Sequence, residues 1–149
     1  MSKMYVMIGA PGSGKSTYIK NHIKDNELVI SRDIIRFAML NDGDDYFSKE
    51  KQVYNEFIKQ INAAIANEID IYVDQTSLNR GARSKLFNRL EKKPDEIIAI
   101  YIKKPLDIIL KYNAKRTGRA LVPEDAVINM YNSIEEPTLE EGFTQINII

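Results

Sequence analysis

Apolar runs alternate along the chain with longer segments in which apolar residues recur every three or four positions. The runs KMYVMIG (3–9), ELVIS (27–31), IDIYVDQTS (69–77), DEIIAIYIKK (95–104) and TQINII (144–149) are predicted strands. Helices are predicted at 14–26, 33–41, 48–67, 79–93, 105–117 and 124–136. The longest of these carries Val53, Phe57, Ile61, Ala64 and Ile65 at helical spacing, and Pro105 stands at a tolerated first helical position. Strands that alternate with helices predict an α/β domain around a parallel sheet. The near-continuous apolar character of 95–104 is that of a strand covered on both faces.

Composition narrows this picture only a little. With 149 residues, one domain spanning 1–149 is expected. Twenty-one basic residues balance 21 acidic ones, so whole-molecule charge argues for neither a nucleic-acid nor a membrane partner. Cysteine is absent, which excludes disulfides and thiol chemistry. The first apolar run is too short for a secretory core, and no run is long enough to span a bilayer. A cytoplasmic protein without membrane contact is the expectation.

Chemistry enters at GAPGSGKS, Gly9 to Ser16, which matches G-x-x-x-x-G-K-[ST] between a predicted strand and a predicted helix. Gly9, Ala10, Pro11, Gly12, Ser13 and Gly14 form a loop whose amides can converge on phosphate oxygens, ahead of Lys15, Ser16 and Thr17. Lys15 suits the β- and γ-phosphates of a nucleoside triphosphate, and the Ser16 hydroxyl suits magnesium. ATP and Mg2+ are therefore the expected cofactors. The fold expectation sharpens to a P-loop NTPase three-layer sandwich, with about five parallel strands flanked by helices and a helical lid.

A P-loop holds a triphosphate in kinases and ATPases alike, so the acceptor side must discriminate. In SRDIIR, Asp33 follows the second strand, where α/β sheets place ligands, and is the candidate base. Arg36 lies one turn on and suits an anion beside it. The same residues have a plainer reading: Ser31 is a good N-cap, and an Asp in the first turn complements the helix dipole. Asp74 ends the third strand and is followed by Gln75 and Thr76, which places it to hold magnesium or to form a turn.

Between Tyr101 and Val122, six cations stand against one acid, whereas 124–141 holds six acids and no Lys or Arg. Arg116 and Arg119 flank Gly118, a combination suited to a lid over phosphates or to an ordinary helix end with C-terminal cations.

GAPGSGKST, SRDIIR, DQTSLN, KRTGRALVP and MYNSI occur in this order. In this the chain resembles the kinase module of the polynucleotide kinases of T-even phages. The resemblance implies transfer of the ATP γ-phosphate to the 5′-hydroxyl of DNA or RNA. Lys15 and Ser16 would serve the triphosphate and magnesium, and Asp33 would activate the hydroxyl. Arg36 would contact the neighbouring 3′-phosphate, and Arg116 would stabilise the transferring group. Arg119 would join it on the phosphates, with Asp74 and Thr76 on the acceptor side. In the phage family the acid immediately precedes the Thr; here Gln75 intervenes, and the D-x-T order is similar to that of the wider P-loop kinases. No D-x-D-x-T motif occurs, so phosphatase activity is not expected, and a separate phosphatase or ligase partner is implied.

Two other readings stay open: the same chemistry on a nucleoside, nucleotide or other small hydroxyl compound, and a non-kinase ATPase module. Tyr18, Tyr46, Tyr54 and Phe57 are expected in the core or stacked on a base. His22 is expected on the surface. The acidic run EEPTLEEG is read as a solvated face.

Overall fold

The computed structural model describes residues 2–118 and 121–149. Five parallel strands make one sheet: β1 (Lys3–Ile8), β2 (Leu28–Ser31), β3 (Ile71–Asp74), β4 (Glu96–Tyr101) and β5 (Gln145–Ile148), in the order β2-β3-β1-β4-β5. Six helices flank it: α1 (Lys15–His22), α2 (Arg32–Met39), α3 (Glu50–Ala66), α4 (Arg80–Asn88), α5 (Leu106–Ala114) and α6 (Glu124–Asn132). The architecture is the three-layer α/β sandwich expected of a P-loop protein.

Central strands are apolar because helices cover both faces. Met4, Val6, Met7 and Ile8 of β1 are wholly buried, as are Ile71 and Val73 of β3 and Ala99 of β4. On one face, α3 lays Val53, Phe57, Ile61 and Ile65 onto Met4, Val6 and Val73 within one large core cluster. On the other, Met7, Tyr72 and Ile100 pack with Ile19 of α1. Each such aliphatic side chain contributes about 1.5–3 kcal/mol by leaving water.

Several helices end earlier than their sequence pattern suggests. α1 stops at His22, where the Ile23 amide still donates to the Ile19 carbonyl but its own backbone is extended. α4 stops at Asn88 and α6 at Asn132. The acidic run 135–142 is not simply a solvated face. Thr138 and Glu141 form a reciprocal capping box on a short 3-10 turn, and Glu141 binds the fully buried Arg83 through both carboxylate oxygens.

Register positions the site. Ser31 and Asp74 are neighbours across β2 and β3, and Val6 and Val73 across β1 and β3. The loop after β1 and the ends of β2 and β3 therefore meet at the carboxyl edge of the sheet, where ligands bind in open α/β folds.

Candidate active site

The loop after β1 turns through two left-handed glycines, Gly12 at φ 88° and Gly14 at φ 99°. A methyl group on Gly12 would stand 2.7 Å from the Ile109 carbonyl of α5, so glycine lets the loop pack against that helix. Gly9 is tight for the same reason: a Cβ there would lie 2.4 Å from Ser13 Oγ. Beyond Gly14 there is open space, and α1 starts at Lys15 with its first amides lacking intrahelical acceptors. Open space, unpaired amides and a helix N-terminus together form a cradle for an anion.

Lys15 curls over this loop and donates to the carbonyls of Gly9 (2.9 Å) and Ala10 (3.3 Å). Burial pushes its ammonium down to about 8. Asp74 opposes that shift, Arg116 reinforces it, and Asp33 opposes it. Lys15, Asp74, Arg116 and Asp33, from four separate segments, thus share one electrostatic neighbourhood.

Asp74 sits at the end of β3, where burial raises its carboxyl above the usual range and Lys15 pulls it back. The nearby Ser16 hydroxyl also lowers it. These two oxygens suit magnesium, which takes few protein ligands beside phosphate and water. No cluster of three or more His, Asp or Glu able to hold a metal occurs among the described residues. The Gly9 amide reaches the Thr76 carbonyl at 3.4 Å and ties the 74–77 loop to the P-loop. From behind, Arg83 donates to the Ser77 carbonyl at 3.0 Å.

Both readings of SRDIIR hold in the structure. Ser31 caps α2, its Oγ accepting from the Ile34 amide at 3.3 Å. Asp33 lies in the first turn with its side chain 61 % exposed. It accepts from Arg36 and from the Tyr46 hydroxyl at 3.0 Å.

Arg36, by contrast, is only 5 % exposed. Each of its three guanidinium nitrogens is engaged: Nε and Nη2 donate to Glu50 at 2.8–3.1 Å, and Nη1 donates to Asp33 and Tyr46. An acceptor phosphate at Arg36 would have to displace one of these.

Glu50 and Arg32 were not legible as site residues. Arg32 donates to Glu50 and to Gln75, which follows Asp74. Glu50 therefore holds two arginines, which together with their hydrogen bonds outweigh burial and keep its carboxyl below the usual range. A signal did exist. Glu50 lies three and seven residues before Val53 and Phe57, in the apolar register of α3, and a carboxylate there demands a cation.

A cleft of about 440 Å³ opens behind the P-loop, lined among others by Thr17, Tyr18, Ile102, Tyr112, Arg116 and Ile149. Its mixed aromatic and aliphatic walls beside a phosphate cradle suit a nucleoside. Asn113 closes the end of α5 by exchanging two hydrogen bonds with Val122 (2.7 and 3.1 Å), which bounds the segment carrying Arg116. Arg119 lies outside the described residues. Of the aromatic candidates, Tyr54 and Phe57 are core, Tyr18 stacks on exposed His22, and Tyr46 serves Asp33. Phe47, not singled out by its sequence context, is 66 % exposed beside Tyr46.

The sequence profile of an AAA domain family, AAA_33, matches residues 4–137. The chain belongs to this family. It is 28% identical over 145 residues to the L-seryl-tRNA(Sec) kinase of Methanococcus maripaludis, covering 90% of this chain and 53% of that protein, so it spans about half the relative's length. Its fold is similar to a chain of a Pnkp1/Rnl/Hen1 RNA repair complex (TM-score 0.77, 23% identity, 89% of this chain and 43% of the other). It is also similar to a sugar kinase from a Janibacter species (TM-score 0.71, 16% identity, 100% of this chain and 85% of the other). The family match and these likenesses agree on the fold, a three-layer P-loop α/β domain. Among the described residues no helix is long and apolar enough to cross a membrane.

Proposed function

We propose that the chain transfers the γ-phosphate of ATP to the 5′-hydroxyl of a polynucleotide or oligonucleotide. The observation that carries this reading is Asp33: an exposed carboxylate, held by Arg36 and Tyr46, within the electrostatic reach of Lys15 and Asp74. An ATPase switch has no need of such an anchored acid on the acceptor side.

In this reading Asp33 takes the proton of the attacking 5′-oxygen. The new bond forms between that oxygen and the γ-phosphorus as the bond from phosphorus to the β-bridging oxygen breaks, and ADP leaves. Lys15 holds the β- and γ-oxygens, and Arg116 neutralises charge on the transferring group. Ser16 and Asp74 would hold magnesium, which would supply Lewis-acid stabilisation of the phosphates. Thr76, two residues after Asp74, would serve the acceptor.

The ordered motifs shared with phage polynucleotide kinases support a nucleic-acid acceptor, and so does likeness to a chain of an RNA repair complex. The relatives named for L-seryl-tRNA(Sec) and for sugars support a second reading, in which the hydroxyl belongs to another compound. Labelled γ-phosphate transfer to 5′-hydroxyl RNA, 5′-hydroxyl DNA, 3′-mononucleotides, nucleosides and sugars decides between them. Labelling of nucleic acids is expected; labelling of sugars or nucleosides alone selects the second reading. ATP hydrolysis indifferent to every acceptor would leave only an ATPase.

A further inference from the structure

Tyr54 lies one turn along α3 from Glu50 and is 7 % exposed. Three cations surround its ring: Lys85 Nζ at 4.4 Å, Arg32 Cζ at 4.8 Å and Arg89 Cζ at 5.6 Å from the centroid. Any two of these charges are therefore within about 10 Å of each other, near one Debye length, and act on an anion together. The Tyr54 hydroxyl and Arg32 Nε are buried without a hydrogen-bond partner among the described residues.

Compensation for these charges is incomplete. Glu50 serves Arg32 and Arg36 at once. Lys85 and Arg89 stand exposed on the α4 side, and neither enters an ion pair among the described residues. The Arg89 side chain makes one hydrogen bond among the described residues, a long one of 3.4 Å to the Asn55 amide oxygen. The ring offsets part of the mutual repulsion through its π-face. A bound anion would offset far more.

Location supplies the rest of the case. Arg32 adjoins Asp33 in the chain and is bonded to Gln75, next to Asp74. The cluster therefore begins one residue from the candidate base in the chain and gathers Tyr54 of α3, Lys85 of α4 and Arg89 at the end of α4. A strand with its 5′-hydroxyl at Asp33 carries its next phosphates outward from that point.

We propose that Arg32, Lys85 and Arg89 bind a phosphodiester of the acceptor strand beyond its 5′-nucleotide, so that a polynucleotide is preferred to a small hydroxyl compound. This rests on the reading that the acceptor is nucleic acid.

The test is fluorescence anisotropy of 3′-labelled, 5′-hydroxyl oligonucleotides of about two and about twelve nucleotides, titrated with the wild-type chain, Lys85→Gln/Arg89→Gln and the charge-preserving Lys85→Arg/Arg89→Lys. The neutral double variant is expected to lose about tenfold in affinity for the longer strand at low salt. Its slope of log affinity against log salt should be smaller by about 0.7 to 1.4, the change expected when one or two phosphate contacts are lost. The charge-preserving pair should stay within about threefold of wild type. Unchanged affinity and slope in the neutral variant overturn the proposal, as does a wild type that binds neither oligonucleotide. Labelled transfer to a 3′-mononucleotide separates the two claims. Transfer with an unchanged long-to-short ratio of kcat/KM in the neutral variant fails this site alone. No transfer to any nucleic-acid acceptor fails the underlying reading.

Discussion

Arg36 and Asp33, one helical turn apart on α2, form an ion pair in which the arginine is buried and the aspartate faces solvent. The buried partner is fixed by Glu50 and Tyr46, so the exposed carboxylate inherits a defined position. A lysine cannot bind Glu50 and Asp33 in this forked way. Arg36→Lys is therefore expected to lower kcat at least tenfold with KM for ATP little changed. If Arg36 instead contacts a 3′-phosphate, the loss will be larger for 3′-phosphorylated acceptors. Equal losses with and without that phosphate support positioning.

Glu50 joins Arg32 and Arg36 in a partly buried Arg–Glu–Arg group. Glu50→Gln leaves the buried Arg36 guanidinium with Asp33 as its one remaining ion-pair partner among the described residues and should cost about 2–4 kcal/mol, between exposed and buried ion pairs. The arginines hold the Glu50 carboxyl below its ordinary value, so the unfolded chain binds its proton first as pH falls. This contribution is complete above about pH 4.5 and is lost as pH falls through the lower native value. Urea unfolding of wild type and variant should show a wide gap at pH 7 that narrows below pH 4.5.

Burial pushes the Lys15 ammonium down to about 8. Between pH 8 and its ordinary 10.5 the unfolded chain holds this proton and the native chain does not, so stability rises with pH across that window. ATP binding has the opposite dependence. The triphosphate requires the charged form, so binding takes up a proton above pH 8 and affinity falls. Without magnesium, Kd for ATP is expected to weaken about tenfold between pH 7.5 and 9, from the loss of the protonated fraction. Calorimetry in buffers of different ionisation heat reads the proton directly. Lys15→Arg should abolish the dependence on pH.

The Ser16 hydroxyl lies near Asp74, where magnesium is proposed to sit. Asp74→Asn should raise the magnesium concentration needed for half-maximal transfer by about tenfold or more, the order seen when a metal's protein contacts are weakened. An unchanged magnesium requirement would remove Asp74 from the metal site.

What could be read in the sequence, and what could not, divides along a physical line. Strands β1, β3 and β4 are apolar on both faces, and the P-loop depends on local geometry, so both are visible in consecutive residues. Helix ends were less visible, because α1 and α6 stop where local turns end them and not at a Gly or Pro. Least visible were contacts across the fold. The Arg36–Glu50 and Arg83–Glu141 pairs span 14 and 58 positions. Arg83 reads as one more cation on a basic helix until the 3-10 turn at 139–141 is folded against it. Glu50 alone left a trace, as a carboxylate in an apolar register.

The most direct test follows label from [γ-32P]ATP into a 5′-hydroxyl oligonucleotide, with nuclease digestion to locate it, for wild type and Asp33→Asn. The label is expected on the 5′-terminal nucleotide, absent when the acceptor already carries a 5′-phosphate. Asp33→Asn is expected to bind ATP normally while transfer falls by about 10² to 10⁴, the range for removing a general base. Label elsewhere than the 5′ end, or an Asp33→Asn variant as active as wild type, would contradict the account.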